Sequence, residues 1–553
     1  MTDAALPAPM IKPAPDRERL AAVGFVAPAA LIIALVFVLP LALLLGVSVL
    51  DAKGGVTSVH YVRLLGTPYY LGVIWNSLRL GLLTTLIAFL VSYPAAFALA
   101  RARGALRSIL LATLFLPLAA SVIVKAFAWT ILLRSDGLIN ETLIALHIIE
   151  DPIRMIFTQT ALIVGAVNIF LPFMVLPIYA VVAQLDGRCA EAAATLGASP
   201  LVVFFRVILP LTLPGIVAGV ALVFSLSVSA YVVPTLLIGE KYPTLATTIA
   251  KAYLLARARF RRRRRRRAAR DCRHRRRAQR TAVAGAEMMT RIAIIICWLL
   301  AIGLALFLLL PLVVIAAASF SPTPVFDLPL TGASLRWYGR IGRLDGFWPS
   351  LLLSLQIALL STALSLVAGT LAAIAIARGK LPGATAVGTL LVSPLMMPGL
   401  VLGIALLQYF RMIGFTATWS ALLVAHLVVT LPYVARTMIA GLSRFDFTLI
   451  EAARTLGCTY SGSVLRVMVP ALAPSFLISG LFSLLASFDN YPVSIFLTDV
   501  RSKTLPIRML QYIEEAPDPT LAALSTLILA GTLVLLLISD RLVGLHRMAG
   551  TAD

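Results

Sequence analysis

Few side chains in this sequence could do chemistry, and they lie within or beside long apolar runs. Lys125 lies in the apolar run 108–133, and Asp489 closes the run 464–488. An ionisable side chain inside a membrane span is costly unless it faces a partner or water, so both residues are candidates for a transport path. A carboxylate beside aromatic rings could hold a cation through charge pairing and cation–π contact. His426 also lies in an apolar run, and we interpret it as a packed residue inside a span.

Three aromatic residues complete the candidate path, and each residue of the path also has a structural interpretation. Trp129 follows Lys125 in the same run, while Tyr231 and Tyr491 lie near the ends of later runs. The lysine could instead extend to the membrane interface, Asp489 could end a helix, and the rings could form an interfacial belt. The His, Ser, Thr and Cys residues form no catalytic or metal-binding motif. An enzyme is therefore not supported, and we predict no metal or cofactor bound by this chain.

A polar stretch of the sequence occurs twice. Residues 191–210 read EAAATLGASPLVVFFRVILP, and residues 451–470 read EAARTLGCTYSGSVLRVMVP. Glu-Ala-Ala favours a helix, the small alanines allow a close approach to a partner, and the glycine permits a sharp turn. Two copies with the same spacing predict docking elements, which we call the first polar loop (186–206) and the second polar loop (446–466). The candidate docking residues are Glu191, Ala192, Ala193, Gly197, Pro210, Glu451, Ala452, Ala453, Gly457 and Pro470.

The composition indicates a membrane protein. Apolar residues make up 60% of the 553 positions and charged residues only 13%, compared with roughly 25% charged in globular domains. A bilayer core needs about 20 apolar residues for each helix that crosses it. We therefore predict an all-α polytopic membrane protein with five spans and then six. The apolar runs lie near 21–50, 71–100, 108–133, 155–185, 207–239, 292–326, 349–377, 381–410, 412–435, 464–488 and 519–539.

Basic connections between the runs predict the orientation. The connections 101–107 and 378–380 carry arginine or lysine and follow the second span of each half. Because cytoplasmic loops are enriched in these residues, we place both connections in the cytoplasm. Counting onward, each polar loop follows the fourth span of its half and also faces the cytoplasm. The acidic connection 134–154 then lies outside.

An arginine tract, residues 257–280, interrupts this pattern. It holds 15 arginines and one aspartate, and without it the net charge of +23 falls to +9. Each arginine at the middle of a bilayer costs about 2.5–3.5 kcal/mol, so the tract cannot be the sixth span of the first half. After five crossings the second half would be inverted, and its polar loop would face the opposite side of the membrane.

Three interpretations of the arginine tract are open. It could bind nucleic acid or anionic lipid, because runs of arginine do both. It could be a linker that stays unfolded because like charges repel. It could also be a lost sixth span read in the wrong frame of a GC-rich gene, in which arginine codons of the CGC type become alanine, proline or glycine codons. The residues Met288-Met289-Thr290-Arg291, followed by an apolar run, look like a natural start and favour two adjacent genes joined by a frameshift.

The duplicated stretch resembles the signature of the permeases of binding-protein-dependent ABC importers. That signature is Glu-Ala-Ala, three residues, Gly, nine residues, and then aliphatic, any residue, aliphatic and Pro. The resemblance implies two type I importer bundles, with about 5 + 6 helices where 6 + 6 are expected. The first permease unit is 1–250, the arginine-rich aberrant or linker segment is 251–288, and the second permease unit is 289–553.

The resemblance also implies partners. Each polar loop would form a coupling helix in a groove of an ATP-binding subunit, and a pair of these subunits would use ATP and Mg²⁺. This chain contains no Gly-x-x-x-x-Gly-Lys-Ser/Thr phosphate loop, so a separate ATPase is required. The other partners are an extracytoplasmic solute-binding protein and membrane lipid, with no nucleic acid. The location is the bacterial inner membrane.

Within the family, the sequence resembles the two permease subunits of spermidine/putrescine importers. The resemblance rests on PLAASVIVKAFAWTILL (117–133) and YVVPTLLIGE (231–240) in the first half and SFDNYPVSIFL (487–497) in the second. A polyamine is a polycation, so Asp489 with Tyr491, and Trp129 with Tyr231, would suit it. Alternatives are a single-chain double permease for iron(III), thiamine or phosphonate, and a secondary transporter. A secondary transporter would need no ATPase and gives no reason for two polar loops.

Overall fold

All regular secondary structure is helical in the part of the chain that the structure describes. This computed structural model describes residues 16–51, 54–259, 286–324, 332–379, 381–515 and 518–543. Within them a single isolated bridge joins Leu50 and Val56. The predicted all-α polytopic fold is therefore confirmed. From residue 260 onward the arginine tract lies outside the described residues.

The helices follow the apolar runs of the sequence. In chain order they are α1 (Asp16–Ile33), α2 (Leu39–Ser48), α3 (Val59–Gly66), α4 (Pro68–Arg101), α5 (Gly104–Ala119), α6 (Val122–Leu132), α7 (Leu138–Ala145), α8 (Gln159–Val182), α9 (Gly187–Thr195), α10 (Pro200–Val203), α11 (Leu209–Val228), α12 (Val232–Leu237), α13 (Leu245–Arg259), α14 (Ala286–Ala318), α15 (Arg336–Ile341), α16 (Phe347–Ala377), α17 (Ala384–Val392), α18 (Gly399–Met412), α19 (Thr418–Leu442), α20 (Thr448–Thr455), α21 (Tyr460–Ser463), α22 (Val469–Ala471), α23 (Ala473–Phe488), α24 (Ser494–Leu497), α25 (Leu505–Glu515) and α26 (Pro519–Val543).

Eight helical segments of the described residues are long and apolar enough to cross a bilayer without a sharp bend. Three further segments pass the same test only as bent pairs. These are α5 with α6, α17 with α18, and α21–α22 with α23, and their bends are 97°, 101° and 72°. If each bent pair crosses once, the described residues contain 11 spans. That number equals the number of apolar runs in the sequence.

A π-helical turn precedes a proline at three places. The turns are Ala34–Val38, Phe204–Ile208 and Val464–Met468, and the prolines are Pro40, Pro210 and Pro470. A proline ring collides with the carbonyl four residues earlier in an α-helix. In each π turn the residue before the proline donates its N–H five residues back, as Leu209 does to Phe204. The wider turn moves the obstructing carbonyl aside, so the proline of each duplicated stretch sets the same local distortion.

The helices form two compact units that differ from the two sequence halves. The first unit, which is not the first permease unit of the sequence, contains the described residues of Met1–Thr57, Gly346–Arg508 and Leu536–Leu545. The second unit contains those of Ser58–Asp345, Met509–Leu535 and His546–Asp553. The first span of each half therefore packs with helices of the other half. Hydropathy identifies a span but not the bundle that receives it, so the boundaries 1–250 and 289–553 divide the sequence and not the packing.

The first spans of the two sequence halves, α1 and α14, pack on different sets of helices. In the first unit, α1 packs on α16 through one apolar cluster that includes Val26, Ala29 and Ala372. In the second unit, α14 packs on α4, α5 and α6. Pro311 in α14 lacks the N–H that would normally bond to the carbonyl of Phe307. Asn168 of α8 donates to that carbonyl at 2.6 Å instead, which fixes the position of α14 against its neighbour.

One kind of hydrogen bond, from a leucine backbone N–H to a serine hydroxyl, occurs in both sequence halves. The backbone N–H of Leu245 donates to Ser77 Oγ at 2.7 Å. The N–H of Leu505 donates to Ser354 Oγ at 2.8 Å. The donors Leu245 and Leu505 are 260 positions apart, as are the two copies of the polar loop, whereas the acceptors Ser77 and Ser354 are 277 apart. α26 begins at Pro519, and the position 260 residues earlier lies in the arginine tract. The tract therefore corresponds to α26. The tract thus occupies the sequence position at which a sixth span of the first half is due.

This register gives a prediction about the gene. We expect the reading frame next to that of residues 257–287 to encode an apolar segment of about 20 residues, because a span needs that length. Sequencing the locus and translating all three frames checks it. If the frame of the tract is confirmed and the neighbouring frames encode only polar residues, the frameshift interpretation is wrong.

Candidate functional site

The two polar loops are built in the same way at their beginnings. Asp186 Oδ1 accepts the backbone N–H of Arg188 at 3.0 Å. Asp446 Oδ1 accepts the N–H of Thr448 at 2.9 Å. The first N–H groups of a helix have no partner within the helix, so a carboxylate there satisfies one of them and complements the helix dipole. Hydrogen bonds from the backbone and side chain of Thr448 hold the pKa of Asp446 below its ordinary value.

The short helices α9 and α20 of the two polar loops also end in the same way, at a glycine with positive φ. The φ angles are 81° at Gly197 and 91° at Gly457, and no atom lies within 4 Å of a Cβ built at either position. The glycines are therefore needed for the backbone conformation and not for space. The N–H of Ala198 donates to the carbonyl of Ala193 at 3.2 Å, and the equivalent bond in the second loop measures 3.1 Å. This is the Schellman arrangement that ends many helices.

The sequence prediction missed one exposed residue in each polar loop. Leu196 is 88% exposed and Leu456 is 86% exposed, each directly before the glycine. A single exposed leucine is ordinary, but two at equivalent positions beside a fixed turn form part of the same surface. The recurrence of Thr-Leu-Gly in both copies was the signal that could have identified them.

Most predicted docking residues lie on the exposed side of α9 and α20. The glutamates Glu191 and Glu451 are exposed, and so is the alanine that follows each of them. The second alanine of each copy, Ala193 or Ala453, is half-buried. On the opposite side of α20, Ile450 is 4% exposed and belongs to an apolar cluster with residues of α19 and the π turn. Each predicted docking proline, Pro210 and Pro470, is also exposed, and one residue separates it from its π turn.

The two polar loops differ in what lies behind them. Behind the first polar loop, a cavity of about 280 Å³ is lined by Arg101, Asp186 and Cys189, among others. At the second polar loop, Arg378 packs over the rings of Phe447 and Tyr460, at 5.9 and 5.5 Å. The first copy has glycine and proline at the positions of those two aromatic residues. The exposed surface is therefore repeated, whereas its support is not.

Lys125, a predicted path residue, is buried at the bend between α5 and α6. It is 2% exposed, and its Nζ donates to the carbonyl of Pro117 at 2.7 Å. The last carbonyls of a helix lack partners within the helix, and burial makes an unmatched carbonyl costly. Lys125 thus supports the bend by bonding across it.

The other four path residues are divided between the two units. Trp129, which is 2% exposed, lies in the second unit with its ring 5.6 Å from that of Phe307. Tyr231 lies in the same unit, directly before α12. Asp489 and Tyr491 lie in the first unit, where Asp489 directly follows α23.

The two tyrosines of the candidate path are equivalent to each other. Tyr231 and Tyr491 are 260 positions apart, and they are 6% and 4% exposed. Each follows the end of a long helix by a few residues, after α11 or after α23. The structure therefore places one buried tyrosine in the corresponding turn of each half, and only the second half adds a carboxylate, at Asp489.

Comparisons with known proteins match both halves of the chain. A family described as "Binding-protein-dependent transport system inner membrane component" matches residues 142–323 and again 365–547. The spermidine/putrescine transport system permease protein PotB of Haemophilus influenzae is 37% identical over 225 residues, which is 40% of this chain and 78% of that protein. PotB of Escherichia coli is 39% identical over 195 residues, 35% of this chain and 70% of that protein. PotC of Haemophilus influenzae is 30% identical over 234 residues, 42% of this chain and 91% of that protein.

The glycine after α20, Gly457, allows a test of the turn geometry in the second polar loop. We expect Gly457→Ala to destabilise the turn by about 1 kcal/mol, because a residue with a Cβ resists positive φ. Gly457→Asn should cost less, since asparagine adopts this conformation more readily. Hydrogen–deuterium exchange of the amides around residue 457 should be roughly fivefold faster in the alanine variant. Gly388→Ala, whose Cβ would meet only Ile376 at 4.0 Å, is the control. Equal exchange in the alanine variant and the wild type would show that the turn does not need glycine.

Proposed function

We propose a function from the premise that the chain belongs to the family of binding-protein-dependent transport system inner membrane components. The family domain occurs twice in it. The chain is therefore a permease of the ABC importer type with two fused subunits, and it is a multi-pass protein of the bacterial inner membrane. What remains to be proposed is how it couples to ATP, what it carries and where the solute passes.

The polar loops are proposed as the elements that couple ATP hydrolysis by separate subunits to transport. A pair of separate ATP-binding subunits would hold α9 and α20, and it would use ATP and Mg²⁺. Both loops face the cytoplasm only if an even number of spans separates them, as a sixth span in the first half would provide. The supporting observation is that two loops, 260 positions apart, present the same exposed Glu-Ala and Leu-Gly surface on the same backbone turns. Nucleotide shifts the equilibrium between inward- and outward-facing states only if the subunits bind the loops differently in each state.

The proposed solute is a polyamine delivered by an extracytoplasmic solute-binding protein. The PotB and PotC relatives are named for spermidine and putrescine. A polyamine is cationic, and the turn after α23 carries a carboxylate and a tyrosine, Asp489 and Tyr491. Carboxylates and aromatic faces attract ammonium groups. Trp129 and Tyr231 contribute rings in the other unit, whereas the ammonium group of Lys125 bonds to a backbone carbonyl and supports the bend.

Charge reversal in the polar loops tests the coupling. We expect the double variant Glu191→Lys, Glu451→Lys to bind the ATP-binding subunits at least about tenfold more weakly, because an exposed charge on each docking surface is reversed. Binding is measured by copurification from membranes and titration of the purified partners. The matched control is Glu150→Lys, Asp151→Lys, which reverses two exposed charges in the connection 134–154. Unchanged binding in the first variant, or equal loss in the control, contradicts the proposal.

Removing one carboxylate tests the solute path. We expect Asp489→Asn to raise the KM for spermidine uptake about tenfold, the effect of losing about 1.4 kcal/mol of charge pairing. The control Asp136→Asn removes an exposed carboxylate that pairs with Arg134 at 2.8 Å, and it should leave the KM unchanged because such surface pairs contribute little. Uptake is measured with radiolabelled spermidine, with thiamine, iron(III) and phosphonate as competitors. Competition by one of these but not by putrescine would assign a different solute.

A further inference from the structure

One histidine bridges both ends of the turn that carries the candidate path residues of the first unit. His426 lies in the middle of α19 and is 2% exposed. Its Nδ1 lies 2.7 Å from Oγ of Ser487, in the last turn of α23. Its Nε2 lies 2.9 Å from Oγ of Ser494, the first residue of α24. The chain between these two serines contains Asp489 and Tyr491.

The hydrogen bonds around His426 have only one consistent direction. Ser494 Oγ donates its single hydrogen to the carbonyl of Asn490, at 2.5 Å, so it must accept a hydrogen from His426 Nε2. In a neutral imidazole Nδ1 then accepts, and the hydroxyl of Ser487 supplies that hydrogen. With its own hydrogen committed, Ser487 Oγ can only accept from Ser361 Oγ, 3.1 Å away. Ser361 has one hydroxyl hydrogen and shares it with the carbonyl of Ala358, 3.3 Å away. Every hydrogen in this series has an acceptor.

The direction of these bonds determines whether a proton can move along them. It runs from Ser361 through Ser487, His426 and Ser494, and it ends at the carbonyl of Asn490. An amide carbonyl does not pass a proton on, so the series is not a proton-transfer path. A buried and fully satisfied polar network instead fixes the relative positions of the elements that contribute to it. Here these elements are three helices, α16, α19 and α23, and the turn before α24.

The turn between α23 and α24 is also held by bonds and contacts that do not involve His426. Asn490 Oδ1 accepts the N–H of Val493 at 3.2 Å, which closes the turn on itself. On α18, a Cβ built at Gly403 would lie 2.6 Å from the ring of Phe496 and 3.2 Å from the carbonyl of Pro492. The glycine therefore lets α18 touch the backbone of the turn. With α18 on one side and His426 on the other, the turn has little freedom to shift.

The first half lacks this arrangement at the equivalent positions. At an offset of 260, His426 corresponds to Ala166, Ser494 to Pro234 and Ser487 to Ser227. Ser227 Oγ is buried and has no hydrogen-bond partner among the described residues. Alanine and proline side chains cannot form the two imidazole bonds. The histidine bridge thus accompanies the one turn of the pair that carries a carboxylate.

We infer that His426 is a positioning residue for transport: through Ser494 and Ser487 it holds Asp489 and Tyr491 in place for the cationic solute, which it does not touch. The inference rests on the proposed role of Asp489 and Tyr491 in the solute path. It predicts that loss of the bridge weakens recognition of the solute, and that the bond to Ser494 matters most because Ser494 anchors the carbonyl of Asn490.

Two substitutions separate the two bonds of the imidazole. Asparagine places a polar atom near the position of Nδ1, and glutamine places one near that of Nε2. We expect His426→Asn to raise the KM for spermidine about fivefold to tenfold with a nearly unchanged maximal rate. We expect His426→Gln to keep the KM within about twofold of the wild type. Ser494→Ala should match His426→Asn, and the double variant should be no worse than either, because both remove the same connection.

A control separates positioning from general stability. Ser365→Ala removes a buried hydrogen bond between α16 and α19, at 2.6 Å to Thr430 Oγ1, which does not reach the turn. It should lower the Tm of the purified protein but leave the KM for spermidine unchanged. Uptake is measured in cells that produce the full chain with its ATP-binding subunits and binding protein.

The possible outcomes are distinct. If Asp489→Asn raises the KM while His426→Asn and Ser494→Ala do not, the positioning role is wrong and the proposed path stands. If none of the three changes the KM, the proposed path itself is wrong. If Ser365→Ala raises the KM as much as His426→Asn, the effect is one of stability and the positioning role is also wrong.

Discussion

The need to satisfy every backbone N–H and C=O inside lipid determines most of this structure. Long helices meet the need on their own, and polar side chains appear where a helix is interrupted. Asn168 bonds to the carbonyl that Pro311 leaves free, Lys125 bonds to the carbonyl of Pro117 at a bend, and Ser494 bonds to that of Asn490 in a turn. These three polar side chains thus lie at interruptions of the helices, and one of the interruptions carries the candidate solute site.

Outside the lipid, the duplicated loops obey local rules. An aspartate accepts one of the first N–H groups of each short helix, and a glycine with positive φ ends the helix. Because these rules act within a few residues, both loops reach the same shape although different packing lies behind them. An exposed surface of fixed shape, present twice, suits a partner that also binds as a pair. This is the physical basis for assigning the loops to ATP-driven coupling.

The sequence predicts the parts of this structure that depend on local pattern. Apolar run length located the spans, and the spacing of Glu, Gly and Pro located the loops. The sequence does not predict which bundle α1 and α14 join or which residues His426 bonds to, because these depend on contacts between residues far apart in sequence. The bond of Lys125 to Pro117 is local but depends on the bend between α5 and α6, which run length does not reveal. His426 was interpreted as a packed residue, which agrees with its burial but omits its two hydrogen bonds. A residue's type and its apolar surroundings do not reveal what it bonds to.

The central claim is that this chain moves a polyamine at the expense of ATP hydrolysed by separate subunits. Spermidine uptake into proteoliposomes that contain the chain and its ATP-binding subunits, with the binding protein added outside, tests it most directly. The account predicts that uptake requires both enclosed ATP and the binding protein, and that it stops when the ATP-binding subunits are omitted. Uptake that continues without those subunits, driven by an ion gradient alone, would contradict the account.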